Sequence, residues 1–322
     1  MAQYIQTVKK VAVIGTGVIG NGWIARFLAQ GYEVAAFDPA SGAEERTHQA
    51  VAHAWPSLEK LGLAEGAAKN RVTFFPTVEE AVHKADLIQE NVPEREALKK
   101  SVLTEIDAHA KADAIIGSST SGIMPSTLQE GLQHPERLIV AHPFNPVYIL
   151  PLVELVGGKQ TDAAVMERAR EFYESIQMKP LIIQKEIEGH LADRLMEALW
   201  REALHLVNDG VATTEEVDAA IIYGAGLRWA QMGPFLTFHL AGGEKGMRHM
   251  LDQFGPALKL PWTKLEAPEL TEELKEKVIS GCENHAGDVS ITELESKRNA
   301  FLVELLDLVE SYWPESKTLV KK

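Results

Sequence analysis

Short hydrophobic runs alternate with longer stretches of helical periodicity through the first part of the chain. Residues 11–14 are all apolar, which is typical of a strand buried on both faces of a parallel sheet. A helical pattern follows, and the next apolar run, at residues 33–37, is followed by Asp38. Later strands are predicted at residues 71–75, 86–89, 114–117, 138–141, 152–156 and 181–183. This alternation predicts an α/β fold with a Rossmann-type, doubly wound parallel sheet.

After the last of these strands, only helical periodicity continues. Residues 191–207 carry apolar side chains at helical spacing, so a long amphipathic helix is expected there. Residues 213–216 have capping-box spacing for another helix, which the glycines at residues 224–226 are expected to stop. We therefore expect a Rossmann domain over residues 1–187 and an all-helical domain, for substrate binding and dimerisation, over residues 188–322.

The composition is that of a soluble, globular protein of about two domains. The 322 residues are 45% hydrophobic and 24% charged, and no run approaches the roughly 18 apolar residues of a membrane-spanning helix. Residues 1–10 contain no apolar signal-peptide core. Cys282 is the only cysteine, which excludes an internal disulfide framework and a cysteine-rich metal site. We therefore expect a cytoplasmic protein without a bound metal.

The net charge of -14 narrows the choice of partners. A field of this sign disfavours nucleic acids and anionic membranes. It is also unfavourable for a highly anionic substrate and favourable for a cation. We therefore expect a small-molecule substrate rather than a nucleic acid or a membrane.

Residues 15–20 read Gly-Thr-Gly-Val-Ile-Gly and lie between the first strand and the first helix. With the acid Asp38 at the end of the next strand, they form the complete dinucleotide-binding fingerprint in its required context. The glycines allow a tight turn and a close approach of the pyrophosphate, and the helix N-terminus attracts phosphates. Asp38 would accept hydrogen bonds from the ribose, and because no arginine follows it, NAD is preferred to NADP. The expected cofactor contacts here are Gly15, Thr16, Gly17, Val18, Ile19, Gly20 and Asp38.

A histidine in an apolar setting is the main candidate for catalysis. His142 stands between the apolar run at residues 138–141 and two prolines, Pro143 and Pro146. Histidine has an unperturbed pKa of about 6.5, which suits a group that takes a hydroxyl proton while a hydride moves to nicotinamide. Glu154 lies in an otherwise apolar strand, where a charge requires a partner, and His142 is the candidate. The alternatives are a core histidine bonded to backbone and a glutamate on an exposed edge strand.

Two further polar residues could hold the substrate oxygen as an alcohol becomes a ketone. Ser121 follows a Ser-Thr pair after a predicted strand, and its alternative is the N-cap of a helix over residues 123–132. Asn145 lies three residues after His142. The alternative role for its side chain is an Asx turn beside Pro146.

These motifs and their order resemble the L-3-hydroxyacyl-CoA dehydrogenase family over essentially the whole chain. The matching segments are residues 15–20, 119–121, 142–146, 152–154, 223–226 and 232–235. The resemblance implies NAD as the cofactor and a homodimer formed through the helical domain. It also implies cofactor contacts from Glu94 and Lys99. The catalytic residues that it implies are the general base His142, its orienting partner Glu154, and Ser121 and Asn145 near the reacting oxygen.

The chain departs from the acyl-CoA members of this family at two places. Those members carry a lysine-rich helix after the second strand, which meets the CoA phosphates, whereas residues 39–70 here contain only two lysines. The family's Gly-Phe-x-x-Asn-Arg segment begins here at Gly189 and has Asp193 in place of the amide. An acid at that position suits a cationic substrate, and the alternative is a carboxylate neutralised by Arg194.

Within the family, the chain most resembles the members that oxidise the 3-hydroxyl of L-carnitine, a small hydroxy acid with a quaternary ammonium group, to 3-dehydrocarnitine. Aromatic faces bind such cations. The expected substrate contacts are Phe144, Gly189, Asp193, Tyr223, Phe235 and Phe254, and for each aromatic the alternative is a core residue. Alternative substrates in the family are L-gulonate and a 3-hydroxyacyl-CoA. A non-catalytic, crystallin-like NAD binder is disfavoured because every expected catalytic residue is present.

Overall fold

The computed structural model describes residues 8–230, 233–242, 246–256, 260–264, 269, 271–274, 276, 288 and 290–312. Cys282 and the first residue of the matching segment 232–235, Met232, lie outside the described residues. The chain divides into two compact units, Met1–Arg194 and Leu195–Lys322. Over the described ranges, no helix is both long and apolar enough to cross a membrane.

Eight strands of the described chain form one sheet. They are β1 (Lys10–Ile14), β2 (Glu33–Phe37), β3 (Val72–Phe74), β4 (Leu87–Glu90), β5 (Ile115–Ser118), β6 (Leu138–Pro143), β7 (Leu152–Gly157) and β8 (Lys179–Ile183). Their order in the sheet is β3-β2-β1-β4-β5-β6-β7-β8. The chain moves from β1 outward to β3 and then returns to the other side of β1 to form β4. Ligands of doubly wound sheets bind at the carboxyl ends of the strands beside such a reversal.

Neighbouring strands run parallel except for β6 and β7, which are antiparallel. The doubly wound, Rossmann-type sheet is confirmed, but the expectation of parallel strands is wrong for this pair. Only residues 144–151 connect the two strands, and a parallel crossover needs roughly a dozen residues or more. The short return therefore places Glu154 directly opposite His142.

Helices pack on both faces of this sheet. They are α1 (Val18–Ala29), α2 (Ala43–Leu61), α3 (Val78–Val82), α4 (Glu96–His109), α5 (Pro125–Leu128) and α6 (Ala163–Ser175), with a 3-10 turn at Pro135–Arg137. Two apolar clusters result. In β1, Val11 and Val13 belong to one cluster and Ala12 and Ile14 to the other, because successive side chains of a strand point to opposite faces. Burial on both faces explains why this strand is apolar throughout.

The chain after β8 is helical wherever it has regular structure in the described residues. The helices are α7 (Ala192–Asn208), α8 (Thr214–Ala220), a π-helical turn (Ile221–Ala225), α9 (Gly226–Trp229), α10 (Pro234–Ala241), α11 (Gly246–Phe254) and α12 (Ile291–Tyr312). The predicted capping box is present at Thr213 and Glu216. Gly224 has non-helical dihedral angles (φ -109°, ψ -105°) and separates two helices, so the predicted helix end within residues 224–226 is confirmed at this glycine. Gly226 is itself helical (φ -60°) and is the first residue of α9.

Candidate active site

His142 and Glu154 face each other across the antiparallel pair of β6 and β7. His142 Nδ1 lies 2.9 Å from Glu154 Oε2, and both side chains are buried. The other oxygen of Glu154 accepts the backbone N–H groups of Leu191 and Ala192, at 3.0 and 2.9 Å. The predicted contact between the two residues is therefore present, and the start of α7 holds the carboxylate in place. An exposed edge strand, the alternative for Glu154, is wrong because β7 lies between β6 and β8.

These hydrogen bonds set the charge of Glu154. Burial alone would raise the pKa of this carboxyl, but the hydrogen bonds from His142, Ala192 and Leu191 outweigh it, and the pKa lies below its ordinary value. Glu154 is therefore an anion at neutral pH and can only accept from Nδ1. The Nδ1 atom of His142 then carries the proton, and Nε2 keeps the lone pair that a general base needs.

The segment that carries Ser121 is held by Glu94. The carboxylate of Glu94 accepts the hydroxyl of Thr120 and the backbone N–H groups of Ser121 and Gly122, the latter two at 3.1 and 3.2 Å. Burial acts to raise the pKa of Glu94, but the Thr120 hydrogen bond and the charge of Lys99 lower it below its ordinary value. Glu94 therefore fixes the backbone at Ser121, whose side chain is exposed.

The alternative assignment of Ser121 as a helix N-cap is wrong. The helix in that region, α5, begins only at Pro125 and its N-cap is Met124. Proline favours the first position of a helix, since it lacks the N–H that would be unsatisfied there and its φ is preset. Ser121 therefore lies outside α5, in the turn that follows β5.

Lys99 is buried below this turn. Its ammonium lies 3.0 Å from Glu90 Oε1, 2.9 Å from the carbonyl of Val92 and 3.4 Å from Glu94 Oε2. Only 1% of Lys99 is exposed, so its charge is bonded to protein groups. Lys99 therefore supports Glu94 and the end of β4, and the cofactor contact expected of it stays a prediction.

A cleft of about 770 Å³ opens at the carboxyl ends of β1, β2 and β4. Its walls include the expected cofactor residues Gly15, Thr16, Gly17, Val18, Ile19, Asp38, Glu94 and Lys99, and also Ser121. A side chain at Gly15 (φ +88°) would come within 2.8 Å of the Asn91 backbone, and one at Gly20 within 2.0 Å of the Gly15 carbonyl oxygen. At Gly17 nothing lies within 4 Å of an added Cβ. The turn is thus closed where backbone packs on backbone and open at Gly17, where a pyrophosphate would approach.

Asp38 lies just beyond β2, at the side of the same cleft. Its carboxylate accepts the backbone N–H of Thr16 at 2.7 Å, the hydroxyl of Thr16 at 3.1 Å and the N–H of Ala40 at 2.9 Å. A carboxylate fixed in this way suits the hydroxyls of a ribose and disfavours a 2′-phosphate. The glycine turn, the acid and the cleft fit a dinucleotide such as NAD.

Two of the expected substrate residues lie beside the ring of His142, and two further expected residues, Gly189 and Asn145, follow it in the sequence. Phe144 is edge-on to the imidazole with ring centroids 5.5 Å apart, and Asp193 Oδ2 lies 3.6 Å from His142 Nε2. Gly189 has a φ of +70° and begins the turn before α7. Asn145 is exposed just after β6. The guanidinium of Arg194, the alternative partner of Asp193, donates to the carbonyl of Glu188 at 3.3 Å.

The other expected aromatic contacts lie in the helical unit. Tyr223, Phe235 and Phe254 are 79%, 83% and 52% exposed. The alternative that they are core residues is therefore wrong. Their role as substrate contacts stays a prediction.

His190 is a residue of the site that was not predicted from the sequence. Its Nε2 lies 3.0 Å from the carbonyl oxygen of Thr120 and must donate to it, and its ring lies 5.4 Å from that of His142. His190 is fully buried, and among the described residues its Nδ1 has no hydrogen-bond partner. Burial lowers the pKa of His190 below its ordinary value, so the ring is neutral at pH 7. The one available signal was a polar residue at a position where the family usually has phenylalanine.

A second group of overlooked residues forms a buried hydrogen-bonded network under the cleft. Gln89 donates to the hydroxyl of Ser119 at 2.7 Å and to the carbonyl of Ala141 at 3.1 Å, and it accepts from Tyr173 at 2.6 Å. Ser119 donates to Asn91 at 2.7 Å. The network links the end of β4 to the residue before His142. Its members are far apart in sequence, so no local pattern could have revealed it.

A doubly wound sheet, a glycine turn with an acid after β2, and a buried His–Glu pair define an NAD-dependent dehydrogenase. Comparison with known proteins gives the family. The model of the 3-hydroxyacyl-CoA dehydrogenase NAD binding domain matches residues 10–187, and that of the C-terminal domain of the same enzymes matches residues 189–281. The chain belongs to the 3-hydroxyacyl-CoA dehydrogenase family.

Named relatives cover nearly the whole chain. The L-carnitine dehydrogenase of Oceanobacillus iheyensis is 73% identical over 306 residues, which span 95% of this chain and 100% of the relative. The L-carnitine dehydrogenase of Pseudomonas putida is 57% identical over 308 residues, 96% of each chain. Among solved structures, 5-formyl-3-hydroxy-2-methylpyridine 4-carboxylic acid 5-dehydrogenase, an NAD+ dependent dismutase, is 28% identical. It superposes with a TM-score of 0.79 over 94% of this chain and 99% of that chain.

Proposed function

We propose that this chain oxidises the 3-hydroxyl of L-carnitine to 3-dehydrocarnitine with NAD as the oxidant. The observation that carries the proposal is 73% identity to an L-carnitine dehydrogenase over 95% of the chain. The buried His142–Glu154 pair supports it independently, because dehydrogenation of an alcohol needs a base for the hydroxyl proton. The substrate is then a small zwitterion with a quaternary ammonium group.

The glycine turn and Asp38 would hold the cofactor. The open face of Gly17 and the start of α1 suit the pyrophosphate, and the carboxylate of Asp38 suits the ribose hydroxyls. When bound, NAD supplies the hydride acceptor. Glu94 would act mainly by holding the turn at residues 120–122 against this cleft.

His142 would take the hydroxyl proton on Nε2. Oxidation of a secondary alcohol removes one hydride from carbon and one proton from oxygen, so the base receives a single proton. Glu154 fixes the tautomer that leaves Nε2 basic, and its negative charge stabilises the imidazolium that forms. Ser121 and Asn145 would hold the oxygen as it changes from alcohol to ketone.

The proposed function is tested by following NADH formation with L-carnitine, D-carnitine, L-gulonate and 3-hydroxybutyryl-CoA offered separately. We expect turnover with L-carnitine and little with the other three. His142→Ala should reduce turnover by about 10²–10⁴-fold, because the general base is lost, and should leave the affinity for NAD nearly unchanged. Preferred turnover of L-gulonate or of the CoA ester would refute the substrate assignment, and an active His142→Ala variant would refute the base.

We also propose a cytoplasmic homodimer. The single cysteine suits a reducing compartment. Several large apolar side chains of α7 and α12 are more than 40% exposed in one chain, and burying them in a dimer would remove this surface from water. They are Leu195, Met196, Leu199, Trp200, Phe301 and Leu308. Light scattering from the purified protein should give the mass of two chains, and the mass of one chain would contradict the dimer.

A further inference from the structure

A second carboxylate lies on the other side of the His142 ring from Glu154. Glu154 Oε2 is 2.9 Å from Nδ1, whereas Asp193 Oδ2 is 3.6 Å from Nε2. Asp193 belongs to the first turn of α7, and its side chain is 20% exposed while that of Glu154 is fully buried. The nitrogen that receives the proton therefore has an acid beside it.

Glu154 alone already meets the needs of a histidine base. It fixes the tautomer and supplies the charge that stabilises an imidazolium. A second carboxylate beside Nε2 is therefore not needed to set the tautomer of His142.

The position of the reacting hydroxyl limits where the cation of a bound L-carnitine can lie. The hydroxyl oxygen of a bound substrate must lie within roughly 3 Å of His142 Nε2 for its proton to be taken. In L-carnitine the ammonium nitrogen is bonded to the carbon next to the carbinol carbon, so it lies only about 2.5 Å from the carbinol carbon. The ammonium is thus confined to roughly 7 Å from Nε2, and Asp193 lies in the same small volume.

We propose that Asp193 is the specificity-determining residue that selects 3-hydroxy acids with a cation on the carbon next to the carbinol. The inference rests on the proposed function and adds to it the residue that recognises the charge. Asp193 places a carboxylate 3.6 Å from the nitrogen around which the cation must lie whenever the hydroxyl is in reach of His142. A neutral substrate of the same shape gains nothing from it.

The test compares the wild-type protein with Asp193→Asn, which keeps the shape of the side chain and removes its charge. Each is assayed on L-carnitine and on its carbon isostere of the same configuration, in which a tert-butyl group replaces the trimethylammonium group. Glu197→Gln is the matched control, since it makes the same change one turn further along α7, where Glu197 pairs with Arg201 at 3.3 Å. The NAD dissociation constant of each variant checks that the cofactor site is intact. If Asp193→Asn fails this check, Asp193→Ser takes its place.

We expect Asp193→Asn to lower kcat/KM for L-carnitine about 10- to 100-fold, mainly through KM. Its kcat/KM for the isostere should stay the same or rise, and Glu197→Gln should keep the wild-type preference. An equal loss on both substrates would overturn the proposal, because Asp193 would then act through His142. An unchanged preference would overturn it as well. A wild-type protein that does not oxidise L-carnitine would instead refute the proposed function itself, so the two failures are distinguishable.

Discussion

Three hydrogen bonds hold the carboxylate of Glu154, and they determine which nitrogen of His142 is basic. One comes from His142 and two from the backbone at the start of α7. Each of the three favours the ionised carboxylate, so together they overcome the cost of burying it. The position of Glu154 therefore depends on two strands and a helix end at once.

The lowered pKa of Glu154 predicts how its contribution to stability varies with pH. Because the pKa in the folded state lies below the unfolded value of about 4.3, the stabilisation is fully present above that value and is lost as pH falls through the folded pKa. Glu154→Gln should lower the free energy of unfolding by about 1–3 kcal/mol at pH 7. Urea unfolding at neutral and at acid pH measures the difference, which should shrink in acid. A difference that does not change with pH would contradict the assignment.

His190 links the turn that carries Ser121 to the segment that holds Glu154. Its Nε2 proton is donated to the carbonyl of Thr120, while the next two residues donate their N–H groups to Glu154. The family's usual phenylalanine cannot make the first of these bonds, so this chain has a connection that an apolar ring would lack.

His190→Phe should therefore leave the Thr120 carbonyl without its donor and cost about 1–3 kcal/mol of stability. Turnover should fall roughly tenfold, since a displacement of Ser121 that raises the activation free energy by about 1.4 kcal/mol is enough for that. His190→Gln places an amide N–H near the position of Nε2 and should restore most of both quantities. The measurements are kcat and the midpoint of urea unfolding. Equal losses in the two variants would show that the hydrogen bond is unimportant.

At the scale of elements, the junction between β1 and α1 combines a packing requirement with a binding surface. Gly20 is inside α1, where alanine would ordinarily stabilise a helix by roughly 0.5–1 kcal/mol. Here an added Cβ would lie 2.0 Å from the carbonyl oxygen of Gly15, which is backbone and cannot rotate away. At Gly17 the space beside the backbone is open. Backbone packing therefore requires glycine at position 20, whereas glycine at position 17 leaves space for a ligand.

Alanine substitutions at Gly17 and Gly20 should distinguish the binding role from the packing role. Gly20→Ala should destabilise the protein by several kcal/mol despite its better helix propensity, because the turn must move. Gly17→Ala should keep wild-type stability and weaken NAD binding, since its methyl group occupies the space that the pyrophosphate would approach. Thermal unfolding and NAD titration distinguish the two. A Gly17→Ala variant as unstable as Gly20→Ala would contradict the open space at Gly17.

At the scale of the whole molecule, the two sets of functional residues share one sheet. The glycine turn follows β1, Asp38 follows β2, Ser121 follows β5, and His142 lies at the end of β6. These strands are parallel to one another, so all four groups come to the same edge. The network around Gln89, a residue of β4, joins the end of β5 to β6 beneath that edge.

Binding of NAD to this edge should stabilise the folded chain by mass action. At 100 times its dissociation constant, the expected gain is about 2.7 kcal/mol, which for a chain of 322 residues corresponds to roughly 4 °C in Tm. NADP should give a much smaller shift at the same concentration, because Asp38 disfavours its 2′-phosphate. Thermal unfolding with each nucleotide measures both shifts. Equal shifts with NAD and NADP would refute the role of Asp38.

Local patterns in the sequence determined the class of fold and the cofactor site. The apolar strands, the glycine turn with Asp38, and the His–Pro–Phe–Asn–Pro segment are each specified by residues close together in the chain. The contact of His142 with Glu154 was also predictable, because a charge in an apolar strand demands a partner and the connecting segment is short. Such features depend on local stereochemistry and periodicity, which a sequence displays directly.

Only the tertiary structure decided which distant groups meet around these residues. It placed the N-terminus of α7 against Glu154, brought Glu94 to the backbone of Ser121, and buried His190 against His142. It also brought Asp193 to within 3.6 Å of the proton-accepting nitrogen. Each of these contacts joins segments that the sequence separates by tens of residues, and no local propensity encodes them. The chemistry of the site was therefore present in the sequence, whereas its geometry arises from packing the sheet and helices together.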